Sequence, residues 1–251
     1  MICVPFWSNR QDKAQILMDR SQTKSGWSAA LGAMTLIGGV VYFAATGSSP
    51  IAVAHADEGK RIAPLAKPLE ESGKEQVAIF AGGCFWGVEG VYEHVAGVLR
   101  VESGYAGGSA TDADYDRVSN GLTSHAEAVR IVYDPSRVSY ATLLHIFFSV
   151  THDPTQLNRQ GPDTGKHYRS AIFPQNDAQR TMAADYIAQL GAAKSWRSPI
   201  VTRLEEGAFY PAETYHQDYM AKNPTSSYIR NFDVPKVQAL KVYFPNIYRG
   251  K

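Results

Sequence analysis

From residue 74 onward the apolar positions alternate between strand and helix patterns. The stretch "VAIFAGG" predicts a short apolar strand that stops at the glycine pair Gly82 and Gly83. The residues after it predict a helix that Gly97 ends, with its apolar members on one face: Cys84, Val88, Val91, Tyr92 and Val95.

The same reading continues with two strands, a helix and a strand. "VLRVESGYAGG" and "AEAVRIVYD" predict strands, Ser139 caps the helix "YATLLHIFFSV", and "YRSAIFP" predicts the next strand. Strand, helix, strand, strand, helix, strand is the order of a ferredoxin-like fold, so we predict an α+β, two-layer sandwich. Additional C-terminal helices are predicted at 175–192 and 211–222, with a strand near 200–205.

The first 56 residues have the pattern of an export signal or a membrane anchor. Residues 27–45 carry no charge and follow a basic segment, and "AVAHA" ends at Ala56 with the small residues that an export cleavage site needs. A cleaved signal, a retained anchor and a start at Met18 all remain open. Each places the protein outside the cytoplasm, in the periplasm or anchored in the inner membrane facing it. Residues 57–73 are interpreted as a linker and 74–251 as the domain.

Composition narrows the function classes. Of 251 residues, 44% are hydrophobic, which is ample for a packed core. Lys and Arg number 25 against 24 Asp and Glu, for a net charge of +1. That balance provides no field that would attract nucleic acid or another polyanion.

The chain has only two cysteines, Cys3 and Cys84. A chain processed after Ala56 keeps one thiol and forms no internal disulfide, which is unusual for an exported protein. Cys84 is predicted at a strand-to-helix turn, where the helix N-terminus lowers the pKa of a thiol. Gly82 and Gly83 are expected to leave the approach to it open. Position alone also allows a buried, inert cysteine.

The segment Gly83, Cys84, Phe85, Trp86 and Gly87 resembles the signature of the peptide methionine sulfoxide reductases of the A type. Further blocks resemble the same family in the same order: "SGYAGG", "HAEAVRIVYDP", "HDPTQLNRQGPDTGKHYRSAIF", "YHQDY" and "PKVQALKVYFP". The resemblance implies reduction of the S epimer of methionine sulfoxide to methionine, with Cys84 as the nucleophile that becomes a sulfenic acid. Its substrates would be oxidised proteins or peptides, with free methionine sulfoxide as an alternative substrate.

The site residues can be matched to that reaction. Phe85 and Trp86 would form an aromatic wall for the substrate methyl group and sulfur, since such contacts contribute roughly 0.3 to 1.5 kcal/mol. Glu127 shares a strand face with Val129 and Ile131, so a raised pKa would keep its carboxyl protonated and able to donate.

By resemblance, Glu127 is the acid that protonates the sulfoxide oxygen. Tyr115 and Tyr168 are, by the same resemblance, phenolic donors that orient this oxygen. Asp163 matches a further acidic position of the family and is assigned a supporting role through hydrogen bonding or water.

The chain departs from the family pattern in two places. From residue 223 onward it has no cysteine where many relatives carry resolving cysteines, so the sulfenic acid would need an external thiol, either a thioredoxin-like protein or a small molecule. Ser124 stands where glycine commonly precedes the His-Ala-Glu run. No bound cofactor is expected, and no metal, because the histidines show no ligand spacing.

Two alternatives remain from the residues alone. A cysteine hydrolase also places its nucleophile at a helix N-terminus, but it needs a histidine base held by a third group. A non-catalytic module that binds oxidised methionine would keep its function when Cys84 is replaced by serine.

Overall fold

The computed structural model describes residues 59–250. The predicted signal or anchor over 1–56 and the second cysteine, Cys3, lie outside these residues. Within the described part, none of the helices combines the length and the apolar character that a membrane span requires.

The chain forms strands and helices in the predicted alternation. The strands are β1 (Gln76–Gly82), β2 (Val98–Ala106), β3 (Ala126–Tyr133), β4 (Arg159–Gln160), β5 (Asp163–Thr164), β6 (Ser170–Ile172), β7 (Arg203–Leu204) and β8 (Phe209–Pro211). The α-helices are α1 (Phe85–Glu93), α2 (Tyr115–Ser119), α3 (Tyr140–Ile146), α4 (Asp177–Ala192), α5 (Tyr219–Lys222) and α6 (Val234–Tyr243). Shorter 3₁₀ turns lie at Ala110–Asp112, Lys166–Tyr168 and Thr214–His216, and π-helical turns at Phe147–Thr151 and Ile229–Asp233.

The main sheet has six strands in the order β7-β6-β1-β3-β2-β8. Its four central strands, β6-β1-β3-β2, pair antiparallel, and β7 joins the edge parallel to β6. This order is that of a ferredoxin-like core, so the predicted α+β sandwich is confirmed. β4 and β5 form a separate two-stranded hairpin.

The two faces of the sheet have different cores because neighbouring strand residues point to opposite sides. Phe80, Val129 and Ile131 belong to the large core with the apolar residues of α1 and α3. The opposite face carries a smaller cluster, which combines alanines such as Ala81 and Ala128 with Ile79 and Phe173. The alternation in β3 therefore places Glu127 on the helix-covered side with Val129, as the sequence predicts.

Local hydrogen bonds explain where the predicted helices begin and end. Ser139 accepts from the Thr142 amide and caps α3. The predicted helix over 140–150 is α-helical only to Ile146 and continues as a π-helical turn. There the hydroxyl of Thr151 donates to the Phe147 carbonyl at 2.8 Å. α1 ends at Glu93, four residues before Gly97.

The predicted helix at 211–222 is wrong for most of its length. Its residues form the end of β8, a 3₁₀ turn and the short α5. Two features interrupt the helix. The Gln217 amide hydrogen-bonds the Ser103 backbone, and Asp218 has the left-handed φ of 53°. Helix α6, which the periodicity did not identify, carries Pro235 in its first turn.

The part of the predicted linker that the structure describes, residues 59–73, contacts the domain along its length. The Lys60 amide donates to the Ser149 carbonyl at 2.6 Å, and the Tyr186 hydroxyl donates to the Ala63 carbonyl at 2.6 Å. The Glu71 carboxylate accepts from the Tyr140 amide at 2.5 Å. Composition did not reveal this packing because each of these three hydrogen bonds involves a backbone group, which composition does not describe.

Candidate active site

Cys84 lies at the junction of β1 and α1, where it is the N-cap residue of the helix, as the sequence predicts. First-turn amides have no partner within the helix, and together with the helix dipole they favour negative charge at this position, so the position suits a thiolate. The side chain is buried, with only 1% of its surface exposed. A molecule that reacts with this sulfur must therefore enter among the side chains around it.

The two glycines before Cys84 allow close packing. A Cβ atom on Gly82 would lie 3.0 Å from the Phe147 ring and 3.4 Å from the His152 ring. Gly83 has a φ of +93°, and its Cβ would lie 2.6 Å from the Gln160 side chain. The expectation that both glycines leave the thiol open is wrong, because neighbouring side chains fill the space that the missing Cβ atoms leave.

Phe85 and Trp86 occupy the first turn of α1 next to the thiol and are buried, as an aromatic wall requires. The Trp86 indole stacks on Tyr219 with ring centroids 3.6 Å apart and planes 7° apart. The edge of a third ring, Tyr228, packs against it at 6.0 Å. The Trp86 Nε1–H donates to His216 Nδ1 at 3.2 Å. Contacts on one face and at the edge thus fix the indole.

Glu127 reaches the same helix end from β3. Its side chain is fully buried, and its Oε2 accepts a hydrogen bond from the Phe85 amide at 3.0 Å. The register explains this reach, since Glu127 pairs with Tyr105 of β2 and faces the helix layer. The structure thereby places a buried carboxyl in contact with the backbone of the residue that follows Cys84. Such a group can hold or deliver a proton where water is scarce.

The two tyrosines predicted to orient the substrate oxygen, Tyr115 and Tyr168, lie on different segments of the chain. Tyr115 begins α2, its amide donates to Glu213 Oε1 at 2.9 Å, and its ring lies 4.6 Å from that of His216. Tyr168 ends the 3₁₀ turn two residues before Ser170, which pairs with Gly82 in the sheet. Both side chains are buried in the same core cluster as Cys84.

Asp163 joins the site through a tyrosine that sequence reasoning missed. Asp163 lies on the β4–β5 hairpin, and its Oδ2 accepts from the Tyr228 hydroxyl at 2.5 Å. Burial raises the pKa of Asp163 to about 6. The pKa of Tyr228 is raised well above its usual value, mainly by burial and secondly by the charge of Cys84. Tyr228 is therefore a neighbour of both the thiol and Asp163.

The segment that follows β8 supplies residues that the sequence analysis left unassigned. His216 is fully buried between the Phe85, Trp86 and Tyr115 rings. Burial lowers the pKa of His216 to about 4, so the ring is neutral near pH 7 and accepts from Trp86. The "YHQDY" block was the available signal for His216 and Tyr219. Tyr228 had no comparable signal.

The other histidines of the matching blocks have structural contacts. His125 Nε2 contacts the Ser109 carbonyl oxygen at 2.9 Å, and His152 Nε2 contacts Ser170 Oγ at 2.7 Å. Among residues 59–250, no three His, Cys, Asp or Glu side chains come together as a metal site. The expectation that no metal is bound stays a prediction.

Comparison with known proteins gives one consistent result. Residues 76–246 match the family model described as peptide methionine sulfoxide reductase. A peptide methionine sulfoxide reductase MsrA of Mesorhizobium japonicum is 56% identical over 177 residues, covering 70% of this chain and 91% of the relative. The peptide methionine sulfoxide reductase MsrA of Deinococcus radiodurans is 49% identical over 171 residues, covering 68% of this chain and 82% of the relative.

Among solved structures, methionine sulfoxide reductase A of Corynebacterium diphtheriae superposes with a TM-score of 0.54 at 32% identity. That match covers 67% of this chain and 88% of the bacterial protein. The reduced form of Mxr1 from Saccharomyces cerevisiae superposes with a TM-score of 0.56 at 32% identity, covering 66% of this chain and 96% of the yeast chain.

Proposed function

The chain belongs to the peptide methionine sulfoxide reductase family and is a peptide-methionine (S)-S-oxide reductase, and on this premise we propose how its residues divide the reaction. Cys84 is the nucleophile and Glu127 is the acid. Phe85 and Trp86 hold the methyl group and sulfur of the substrate, and Tyr115 and Tyr168 orient its oxygen. The comparisons favour neither the hydrolase nor the non-catalytic alternative.

In the first half-reaction the Cys84 thiolate attacks the sulfoxide sulfur while Glu127 protonates the oxygen. The oxygen passes to Cys84, which becomes a sulfenic acid, and methionine is released. The sulfur of Cys84 loses two electrons and the substrate sulfur gains two. Asp163 supports this step by accepting a hydrogen bond from the Tyr228 hydroxyl, which lies next to the thiol.

One observation carries the assignment of the acid: the 3.0 Å hydrogen bond from the Phe85 amide to Glu127 Oε2. Phe85 is the residue after Cys84, so this contact holds a fully buried carboxyl beside the nucleophile. A carboxyl in that position is within reach of an oxygen that leaves a substrate bound at the sulfur.

In the second half-reaction we propose an external thiol as reductant. Cys84 is the only cysteine in the described part of the chain, and it is in the thiol form there, outside any disulfide. A thiol attacks the sulfenic sulfur, water leaves, and a mixed disulfide forms. A second thiol then releases Cys84 in its reduced form and carries away the disulfide. A thioredoxin-like protein or a small thiol fits this requirement, and no resident cofactor is needed.

We further propose that the enzyme acts outside the cytoplasm on oxidised proteins and peptides. This rests on the uncharged stretch over 27–45 and the small residues that end at Ala56. The segment is either a signal that is cleaved, which leaves a periplasmic enzyme, or an anchor that holds it at the inner membrane.

The experiment that tests the proposed chemistry separates its two halves. The protein is mixed with dabsyl-methionine S-sulfoxide without any reductant, and both product and protein mass are measured. We expect one equivalent of the methionine product, and a gain of one oxygen atom confined to the peptide that contains Cys84. The R epimer serves as the matched control and should yield neither change. Consumption of both epimers, or an unmodified Cys84 after turnover, would contradict the proposal.

A further inference from the structure

The segment 216–220, which begins at the end of the 3₁₀ turn after β8, is held by contacts to α1 and β2. His216 accepts from Trp86 Nε1. The Gln217 amide bonds the backbone N–H and C=O of Ser103, both at 2.9 Å. Each of the next three residues has a contact with α1.

Glu89 provides the contact at the centre of this segment. It lies one helical turn after Trp86, its side chain is 1% exposed, and its Oε2 accepts from the Asp218 amide at 3.1 Å. Asp218 has the left-handed φ of 53°, which is uncommon for a residue other than glycine. A hydrogen bond to a buried carboxyl holds the chain in this turn.

The turn at Asp218 determines where the side chains of Tyr219 and Met220 pack. Tyr219 lies directly after Asp218 and stacks on the Trp86 indole at 3.6 Å. Met220 packs where Gly90 has no side chain, since a Cβ on Gly90 would lie 2.4 Å from the methionine methyl carbon. Helix α1 thus presents Trp86, Glu89 and Gly90 to one short segment, and each contacts a different part of it.

We propose that Glu89 is a positioning residue for the substrate slot: it holds the Asp218 backbone and thereby keeps Tyr219 stacked on Trp86. The inference rests on the proposed role of Trp86 in binding the substrate. Glu89 acts through the turn and takes no part in proton transfer. Loss of its acceptor loosens the indole, which weakens substrate binding and leaves the chemistry at Cys84 in place.

Glu89→Leu removes the acceptor while keeping similar bulk. With dithiothreitol as reductant, we expect KM for the S sulfoxide to rise roughly 5- to 100-fold, since a buried amide loses its partner. The saturated single-turnover rate should stay within about threefold of the parent. Glu89→Gln keeps an oxygen acceptor and should restore KM to near the parent value.

A double-mutant comparison distinguishes positioning from general destabilisation. Tyr219→Ala should raise KM by itself, and adding Glu89→Leu to it should raise KM little further. Glu71→Leu is the matched control, because Glu71 holds the Tyr140 amide far along the chain from this segment. It should lower stability and leave KM unchanged.

A Glu89→Leu variant that folds and keeps the parent KM would overturn the proposal, as would effects of Glu89→Leu and Tyr219→Ala that simply add. Should leucine prevent folding, Glu89→Asp withdraws the carboxyl by one methylene and must raise KM in the same way. Failure of the proposed role of Trp86 would look different, because Trp86→Ala itself would then leave KM unchanged.

Discussion

Replacing Glu127 by glutamine is the most direct perturbation of the proposed acid. Glutamine has nearly the same size, and its carbonyl oxygen can still accept from the Phe85 amide that now donates to Oε2 at 3.0 Å. The side chain is fully buried, so the change exposes no new surface. What disappears is the proton that a carboxyl can give to the sulfoxide oxygen.

The expected loss follows from the role of a positioned acid. General acid catalysis contributes roughly 10²- to 10⁴-fold, which corresponds to about 2.7 to 5.5 kcal/mol of transition-state stabilisation. The weaker hydrogen bond to Phe85 should cost only about 1 kcal/mol of folding free energy. Catalysis should therefore fall far more than stability.

The assay is a single turnover with enzyme in excess over dabsyl-methionine S-sulfoxide, stopped at intervals and separated by chromatography. It isolates the first half-reaction from the supply of thiol. Glu71→Gln is the control, since it also replaces by an amide a carboxyl group that accepts from a backbone amide. A Glu127→Gln rate within about twofold of the parent would refute the assignment, because no acid with the stated contribution would then have been removed.

Two further predictions concern stability and processing. Burial raises the pKa of Glu89 to about 7, with the charges of Glu93 and Asp218 as smaller contributions, so the folded state binds more protons than the unfolded state between about pH 4.5 and 7. Urea unfolding should show the parent gaining stability relative to Glu89→Gln as the pH falls through that window, by at most about 1.4 kcal/mol per pH unit. A difference that stays flat would contradict the buried carboxyl. N-terminal sequencing of the protein recovered from the periplasm should begin at Asp57 if the signal is cleaved, and recovery from the cytoplasm would refute export.

Periodicity was sufficient for the central architecture. The alternation in "AEAVRIVYD" identifies both β3 and the face that carries Glu127, and "VAIFAGG" identifies β1, after which Cys84 begins a helix. These features depend on neighbours in the chain, and a strand or helix imposes them wherever the segment finally packs.

The chain after β8 illustrates what periodicity could not predict. The helix expected at 211–222 gave way to a turn because Gln217 bonds the distant Ser103 and Glu89 holds Asp218. Both partners lie more than a hundred residues away in the chain. A local pattern carries no information about such contacts.

The sequence by itself determined the α+β order, the thiol at the start of α1, and, through resemblance, the seven side chains of the proposed site. Only the tertiary structure decided that the thiol is 1% exposed, that Tyr228 donates to Asp163, and that Tyr219 covers the Trp86 indole. The physical reason is that burial and stacking are properties of surfaces brought together by folding. Backbone preference and side-chain periodicity, in contrast, are already present in each short segment.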